Sequence, residues 1–241
     1  MTVPPGISFA GQHHIDGRLL FDADIQLPGG QWTCLLGRSG VGKSTILRLI
    51  LDLKTGGQFA GSIAATDGAA LAGRISYMAQ SDLLLPWLSV LENVVIGARL
   101  RGEAPDTARA ADLLARVGLA DHLGSKPNTL SGGMRQRAAL ARTLFEDRPI
   151  VFLDEPFSAL DAGTRADMQD LAAEVLHGRT VLLVTHDPSE ATRLGHRIII
   201  MSAQGATCWP VPDTPAPRAI DDPQTLACQT RLLAHLRGVA A

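Results

Sequence analysis

The sequence predicts an α/β protein with a mostly parallel core sheet, an antiparallel β segment ahead of it and a helical insert within it. Two runs predict the parallel core. Gly37-Arg38-Ser39-Gly40-Val41-Gly42-Lys43-Ser44-Thr45 separates the apolar run Trp32 to Leu36 from a stretch with helical apolar spacing, so it sits on a strand-to-helix turn. Ile150, Val151, Phe152 and Leu153, ending in Asp154 and Glu155, have the pattern of a strand buried on both faces. Between these two runs, from about residue 82 to residue 129, the apolar spacing is helical, which predicts the insert.

Taken in order, Leu20, Ala23, Ile25 and Leu27 alternate loosely with polar residues, as in a half-exposed antiparallel strand. Pro28-Gly29-Gly30 turns the chain into the strand Trp32 to Leu36, and Ile46, Leu47, Leu49, Ile50 and Leu53 predict the helix after the loop. Arg74 to Ala79 predicts a strand that ends at Gln80. Ser89 to Leu100 predicts a helix opened by a capping box of Ser89 and Glu92. A second amphipathic segment follows Pro105, with Leu113, Leu114, Val117 and Leu119 on one side. Ser131 is placed to cap a helix that begins Gly132-Gly133 and continues into Ala138, Ala139, Leu140 and Ala141. Thr180 to Thr185 and Ile198 to Met201 predict two further core strands. Trp209 to Pro217 is Pro-rich and predicts a surface loop, and Asp222-Pro223 starts a final helix expected to dock on the domain through Leu226, Leu232, Leu233 and Leu236. The whole chain, 1–241, is expected to be one domain with a C-terminal extension from about residue 203.

The chemistry follows from residue types. In G-x-x-x-x-G-K-[ST], Gly37, Gly40 and Gly42 free the backbone so that successive N–H groups can point at one anion, and the following helix N-terminus adds its partial positive charge. Lys43 would pair with the β- and γ-phosphates of ATP, and the Ser44 hydroxyl would bind Mg²⁺. Asp154, at the C-terminal end of its strand, is placed to hold Mg²⁺; Glu155 faces the other way and could polarise a water aimed at the γ-phosphate. Ser131-Gly132-Gly133 makes a second anion-binding helix start. A second such site makes sense if it faces the nucleotide of another subunit.

Composition narrows the field. With 241 residues and 46% hydrophobic content the chain can bury one sizeable core. A net charge of -2 without a basic cluster argues against nucleic acid as a partner. Cysteines at 34, 208 and 228 are too few and scattered for a disulfide framework or a metal site, and Cys34 reads as core. No stretch has the length to span a bilayer and the N-terminus lacks signal-peptide order, so a membrane role is expected to run through partner subunits.

The three stretches at 37–45, 130–137 and 150–156, in that order, resemble the Walker A, signature and Walker B elements of ATP-binding-cassette (ABC) ATPases, a P-loop NTPase fold, and the resemblance runs from about residue 7 to residue 202. It implies ATP and Mg²⁺ as cofactors and a head-to-tail homodimer in which Ser131, Gly132 and Gly133 of one copy cap the ATP gripped by Gly37 to Thr45 of the other. It also implies that Gln80 senses Mg²⁺ and relays to a membrane partner, that Asp161 of Ser158-Ala-Leu-Asp161 crosses the dimer interface, and that His186 contacts the γ-phosphate. Glu155, His186 and Lys43 are then the catalytic residues, and Ser44, Gln80 and Asp154 the metal site. The adenine-stacking aromatic of such ATPases has no Tyr or Trp counterpart here; Phe9, His13 and His14 lie in that region and none is assigned. Leu84-Leu85-Pro86-Trp87-Leu88-Ser89-Val90 with Arg99 to Gly102 is similar to the nitrate, sulfonate, taurine and pyrimidine-precursor importers. That similarity implies integral membrane permease subunits, a periplasmic solute-binding protein met indirectly, and a place on the cytoplasmic face of the membrane. Pro86 and Trp87 are expected either to dock the permease or to pack within the helical insert. The rival reading is a soluble cassette ATPase acting on nucleic acid or ribosomes.

Overall fold

The computed structural model describes residues 3–202 and 205–238; the remaining positions of the expected C-terminal extension lie outside the described residues. The chain divides into two compact units, the first made of Met1–Ile75, Pro149–Phe152 and Gly178–Ala241, the second of Ser76–Arg148 and Leu153–His177.

The first unit holds the antiparallel sheet and most, though not all, of the strands of the second. Strands β1 (Ile7–Ile15), β2 (Arg18–Leu27) and β4 (Gln58–Ala65) form an antiparallel sheet in the order β2-β1-β4. Only the Leu20 to Leu27 part of it was predicted. β1 and β4 carry glycines and polar residues through their centres, Gly11 facing Gly61 across the ladder, so neither shows a clean alternation. The sheet closes over an aromatic cluster. Phe9 lies 5.3 Å from Phe59 and 6.1 Å from Phe21, and the His13 ring stacks on Phe21 at 5.7 Å and 23°. Each fully buried phenylalanine contributes roughly 1.5–3 kcal/mol.

The second sheet has mostly parallel strands and the order β5-β6-β7-β3-β8-β9, with β3 (Trp32–Gly37), β5 (Ile75–Met78), β6 (Ile150–Asp154), β7 (Thr180–Val184), β8 (Arg197–Ser202) and β9 (Gly205–Trp209). Strands β3 and β7 pair in parallel, as do β3 and β8, whereas β9 returns antiparallel along β8. Burial on every residue of Trp32 to Leu36, Ile150 to Asp154 and Thr180 to Val184 is what their unbroken apolar runs require. β5 is one residue shorter at each end than predicted. β9 takes Trp209 out of the predicted loop, which starts instead at Pro210.

Helix α1 (Lys43–Ile50) follows β3 and stops before Leu53, which is half exposed rather than part of its apolar face. Helix α7 (Pro188–Leu194), not predicted from spacing, is capped by Asp187 with proline at its first position. The Arg218 guanidinium, buried, donates to the carbonyls of Thr192 and Gly195 at 2.8 Å and Pro212 at 2.9 Å, which fastens the C-terminal segment to the end of α7. The final helix α8 (Pro223–Gly238) docks through Thr225, Cys228 and Leu232, while Leu226 and Leu233 point outward. Leu232 is buried and Leu236 half-buried as expected, but Leu226 and Leu233 are not, because the buried stripe also takes Thr225 and Cys228, which hydrophobicity alone does not select.

In the second unit the predicted helix from Ser89 is two short ones, α2 (Val90–Val94) and α3 (Ile96–Leu100), broken at Val95. The capping box is present: Ser89 Oγ accepts from the Glu92 N–H at 3.2 Å and Glu92 Oε2 accepts from the Ser89 N–H at 2.7 Å. The Ser89 N–H, first, and the Ser89 hydroxyl hold the Glu92 carboxyl below its ordinary range. Helix α4 (Thr107–Arg116) buries Leu113 and Leu114, with Val117 and Leu119 just beyond it. Helices α5 (Gly132–Phe145) and α6 (Ala162–Val175) complete the unit. Asn93, fully buried in α2, accepts from Leu85 N and donates to the carbonyls of Leu85, Leu88 and Ser89, so one side chain fixes the turn before the helix.

His13 is fully buried and neither ring nitrogen has a hydrogen-bond partner. Burial first, and His14 second, hold its proton affinity below the ordinary imidazole value. The unfolded chain then binds the proton that the fold excludes, so stability is intact at neutral pH and falls as pH drops below about 6.5. His13→Phe should flatten the fall in denaturation midpoint between neutral pH and pH 5; an unchanged slope would place that acid sensitivity elsewhere.

Candidate functional site

The first unit presents the loop between β3 and α1. Gly37, Gly40 and Gly42 adopt φ of 152°, 82° and 101°, and Gly42 is the N-cap of α1 in the left-handed region. Here glycine is obligatory for two reasons. A Cβ on Gly42 would lie 2.6 Å from Phe21 Cδ1, and one on Gly37 would lie 2.5 Å from the Met201 carbonyl. Arg38, Ser39 and Gly40 are exposed at the crest, with Val41, Ser44 and Thr45 half-buried on its flank. Lys43 is 8% exposed, and its Nζ donates to the carbonyls of Gly37 at 2.8 Å and Arg38 at 3.0 Å. Its ammonium is thus held across its own loop. A buried strand feeding an uncapped helix start, with side chains removed where the backbone must approach, has the geometry that a cradle for a phosphate chain requires.

His186 belongs to the same unit. It follows β7 and is exposed between two fixed points. Thr185 Oγ1 donates to Glu190 Oε2 at 2.6 Å and accepts from the Asp187 N–H at 3.0 Å, while Asp187 caps α7. The imidazole therefore stands on an anchored backbone.

The second unit brings Gln80, Glu155, the signature segment and the 158–161 turn together. Asp154 is buried at the end of β6, and Glu155 leaves the strand in a left-handed conformation, φ 51°. A non-glycine residue there costs on the order of 1–3 kcal/mol and points to a constrained functional position. Glu155 Oε2 accepts from Gln80 Nε2 at 3.2 Å. Ser131 caps α5, its Oγ accepting from the Met134 N–H at 3.2 Å as the sequence predicts, and Gly132 is exposed with no close neighbour. Gly133 lies where a Cβ would meet the Ala159 carbonyl at 3.2 Å. Asp161 serves as N-cap of α6; the Thr164 N–H, 3.0 Å away, is the main reason its carboxyl titrates below the ordinary range.

Gln136 is the residue that motif reading passed over. Buried on α5, it donates from Nε2 to the Glu155 carbonyl at 3.0 Å and to Ser158 Oγ at 3.2 Å, and its Oε1 accepts from the Ala159 N–H at 2.8 Å. One amide thus ties the signature helix to the segment from Glu155 to Asp161. Its presence within the 130–137 stretch was visible; the direction of its side chain was not.

Phe9 and His13 are enclosed in the antiparallel sheet and offer no exposed face to a base, while His14 is half-buried. Among the described residues no three carboxylate, imidazole or thiol groups form a metal cage. The donors of Ser44, Gln80 and Asp154 are all oxygens when the amide carbonyl is counted. Such hard donors suit Mg²⁺, which keeps several waters and takes phosphate oxygens for the rest.

The family model of the ABC transporter matches residues 20–158, more than half of the chain. The chain belongs to the ABC transporter family. An uncharacterized ABC transporter ATP-binding protein of Haemophilus influenzae is 41% identical over 231 residues, covering 92% of this chain and 95% of its own. An aliphatic sulfonates import ATP-binding protein of Agrobacterium fabrum is 47% identical over 182 residues, 73% of this chain and 68% of that one. Its Escherichia coli counterpart is 42% identical over 218 residues, 89% and 83%. Among solved structures, a bacterial Atm1-family ABC exporter with ATP bound is similar in fold, with a TM-score of 0.76 at 22% identity, over 97% of this chain but 43% of the exporter chain. The protein is an ATP-binding subunit of the ABC class and an ATPase coupled to transport. No helix among the described residues is long and apolar enough to cross a membrane.

Gly42→Ala should abolish ATP binding and lower stability by at least about 1–3 kcal/mol, since the added methyl meets Phe21 and the left-handed backbone is lost. Phe21→Ala in the same chain relieves the clash but not the backbone strain, so binding should stay weak. ATP titration and thermal denaturation check this, and wild-type affinity in Gly42→Ala would refute the cradle.

Proposed function

We propose that this chain powers a bacterial importer for a small anionic or organic solute, with the sulfonate class first among candidates. The observation that carries the reading is its 42–47% identity to two aliphatic sulfonates import ATP-binding proteins across most of its length. Nitrate, taurine and pyrimidine precursors of thiamine belong to the same set of candidates. The solute is handled by a separate permease and a periplasmic binding protein, so no residue of this chain selects it.

Two copies pair head to tail. Gly37 to Thr45 of one copy hold the triphosphate through backbone N–H groups, Lys43 stabilises charge at the γ-phosphate, and Ser131, Gly132 and Gly133 of the other copy close over it. Asp154, Ser44 and Gln80 would hold Mg²⁺. The ion, when bound, supplies charge neutralisation at the phosphates. Glu155 orients the attacking water and accepts its proton, Gln80 holds the Glu155 carboxylate, and His186 donates to the γ-phosphate. Asp161 fixes the turn that faces the second copy. Loss of the γ-phosphate charge then removes what keeps the two copies closed.

The permease docks on the turn at Leu83 to Trp87. Leu83 and Trp87 are 61% and 68% exposed, whereas their neighbour Leu84 is buried. The turn lies next to Gln80 in sequence, and two large apolar side chains held outward offer anchors for a helix of a membrane partner on the cytoplasmic face.

In a strain lacking the endogenous gene, wild-type protein should restore uptake of a labelled alkanesulfonate, and Glu155→Gln should not. Full uptake with Glu155→Gln would remove hydrolysis from the account; restoration of nitrate uptake but not of sulfonate would correct the solute class.

A further inference from the structure

The turn that carries Trp87 is bolted to the helix that carries the signature segment. Arg142, on α5, donates from Nη1 to the Leu83 carbonyl at 2.8 Å and from Nη2 to the Asp82 carbonyl at 2.6 Å. Arg135, seven residues earlier and so two turns back on the same stripe of the helix, donates from Nε to Asp82 Oδ2 at 3.0 Å and from Nη1 to the Leu130 carbonyl at 2.8 Å. Asp82 Oδ1 accepts from the Leu84 N–H at 3.0 Å, and Leu83 is held at φ 47°. Asn93 and Lys126, the latter donating to the Trp87 carbonyl at 2.8 Å, grip the rest of the turn. Backbone carbonyls take most of these bonds, which leaves the side chains of Leu83 and Trp87 facing solvent.

This arrangement is more than an exposed ion pair. Arg142 is partly desolvated, enough to push its guanidinium below its ordinary value, and a donor withdrawn from water holds its carbonyl partners more tightly than one at the surface. Both arginines grip the same short turn from points two turns apart on α5, the helix that opens at Ser131 to Gly133. A displacement of the start of α5 must therefore carry the turn with it, or break several charge-assisted bonds at once.

We propose that Asp82, Arg135 and Arg142 are positioning residues that latch the Leu83–Trp87 turn to the N-terminal end of α5, so that capping of the second copy's ATP by Ser131-Gly132-Gly133 and presentation of Trp87 are a single motion. The inference rests on the shared-nucleotide reading above. Neither arginine touches the nucleotide in that scheme; they act through the helix.

Hydrogen exchange on the full-length Glu155→Gln protein tests it, read as the difference between samples with and without ATP and Mg²⁺. With the latch intact, ATP should slow exchange both at residues 131–134 and at residues 83–88. Adding Arg142→Gln should leave protection at 131–134 and abolish it at 83–88. Where Arg142→Gln unfolds, Arg135→Gln serves in its place, and the exchanged pair Asp82→Arg with Arg135→Asp should restore the response that each single change loses, which a merely structural role would not produce. Equal protection of the turn with the latch cut, or no protection there in the intact protein, would overturn the latch. No protection at 131–134 in the intact protein would instead overturn the shared-nucleotide reading and the latch with it.

Discussion

The proposed triphosphate site depends on one constraint: a polyphosphate is held by successive backbone N–H groups only where the chain carries no side chain in the way. Gly42 meets that constraint at the start of α1, and the surroundings enforce it. Phe21 closes on the space where a Cβ would be, and His13 stacks behind Phe21. The antiparallel sheet is therefore part of the loop's support and not an appendage to it. Lys43 reaches back onto the carbonyls of Gly37 and Arg38 and ties the start of the helix to its own loop.

The second unit solves a different problem, the placement of a carboxylate on a strained backbone. Glu155 leaves β6 at positive φ, and its main chain is held by Gln136 and Ser158 while its side chain is held by Gln80. Because Gln136 lies on α5, the residue proposed to orient water and the segment proposed to cap a neighbour's ATP share one support. The same helix carries Arg135 and Arg142 on the way to the exposed turn. A single helix thus borders all three proposed sites, and its small-residue stripe, Ala138, Ala139 and Ala141, is fully buried.

The sequence revealed elements whose physics is local. The buried strands, the Ser131 cap and the Ser89–Glu92 box all depend on contiguous residues, and each stands where it was expected. Features that depend on tertiary direction were illegible. β1 and β4 lack alternation because their glycines cross at close range, α8 buries a Thr and a Cys in preference to two of its leucines, and the helix from Ser89 breaks at Val95, two residues before Gly97. Motif spacing named Gln80 and Glu155, and their side chains do meet. Spacing had no means of naming Gln136, Asp82 or Phe21, whose roles come from where a neighbouring element turns them.

The account's central claim is that the lid over each nucleotide comes from a second copy of the chain. A photoreactive ATP analogue modified at the γ-phosphate, added to a mixture of isotope-heavy Lys43→Ala subunits and light Glu155→Gln subunits, addresses it directly. The heavy chains cannot grip nucleotide themselves, so the account predicts label on the heavy peptide spanning residues 130–137 only when light chains are present. Label confined to the light chains' own 130–137 peptide would contradict it.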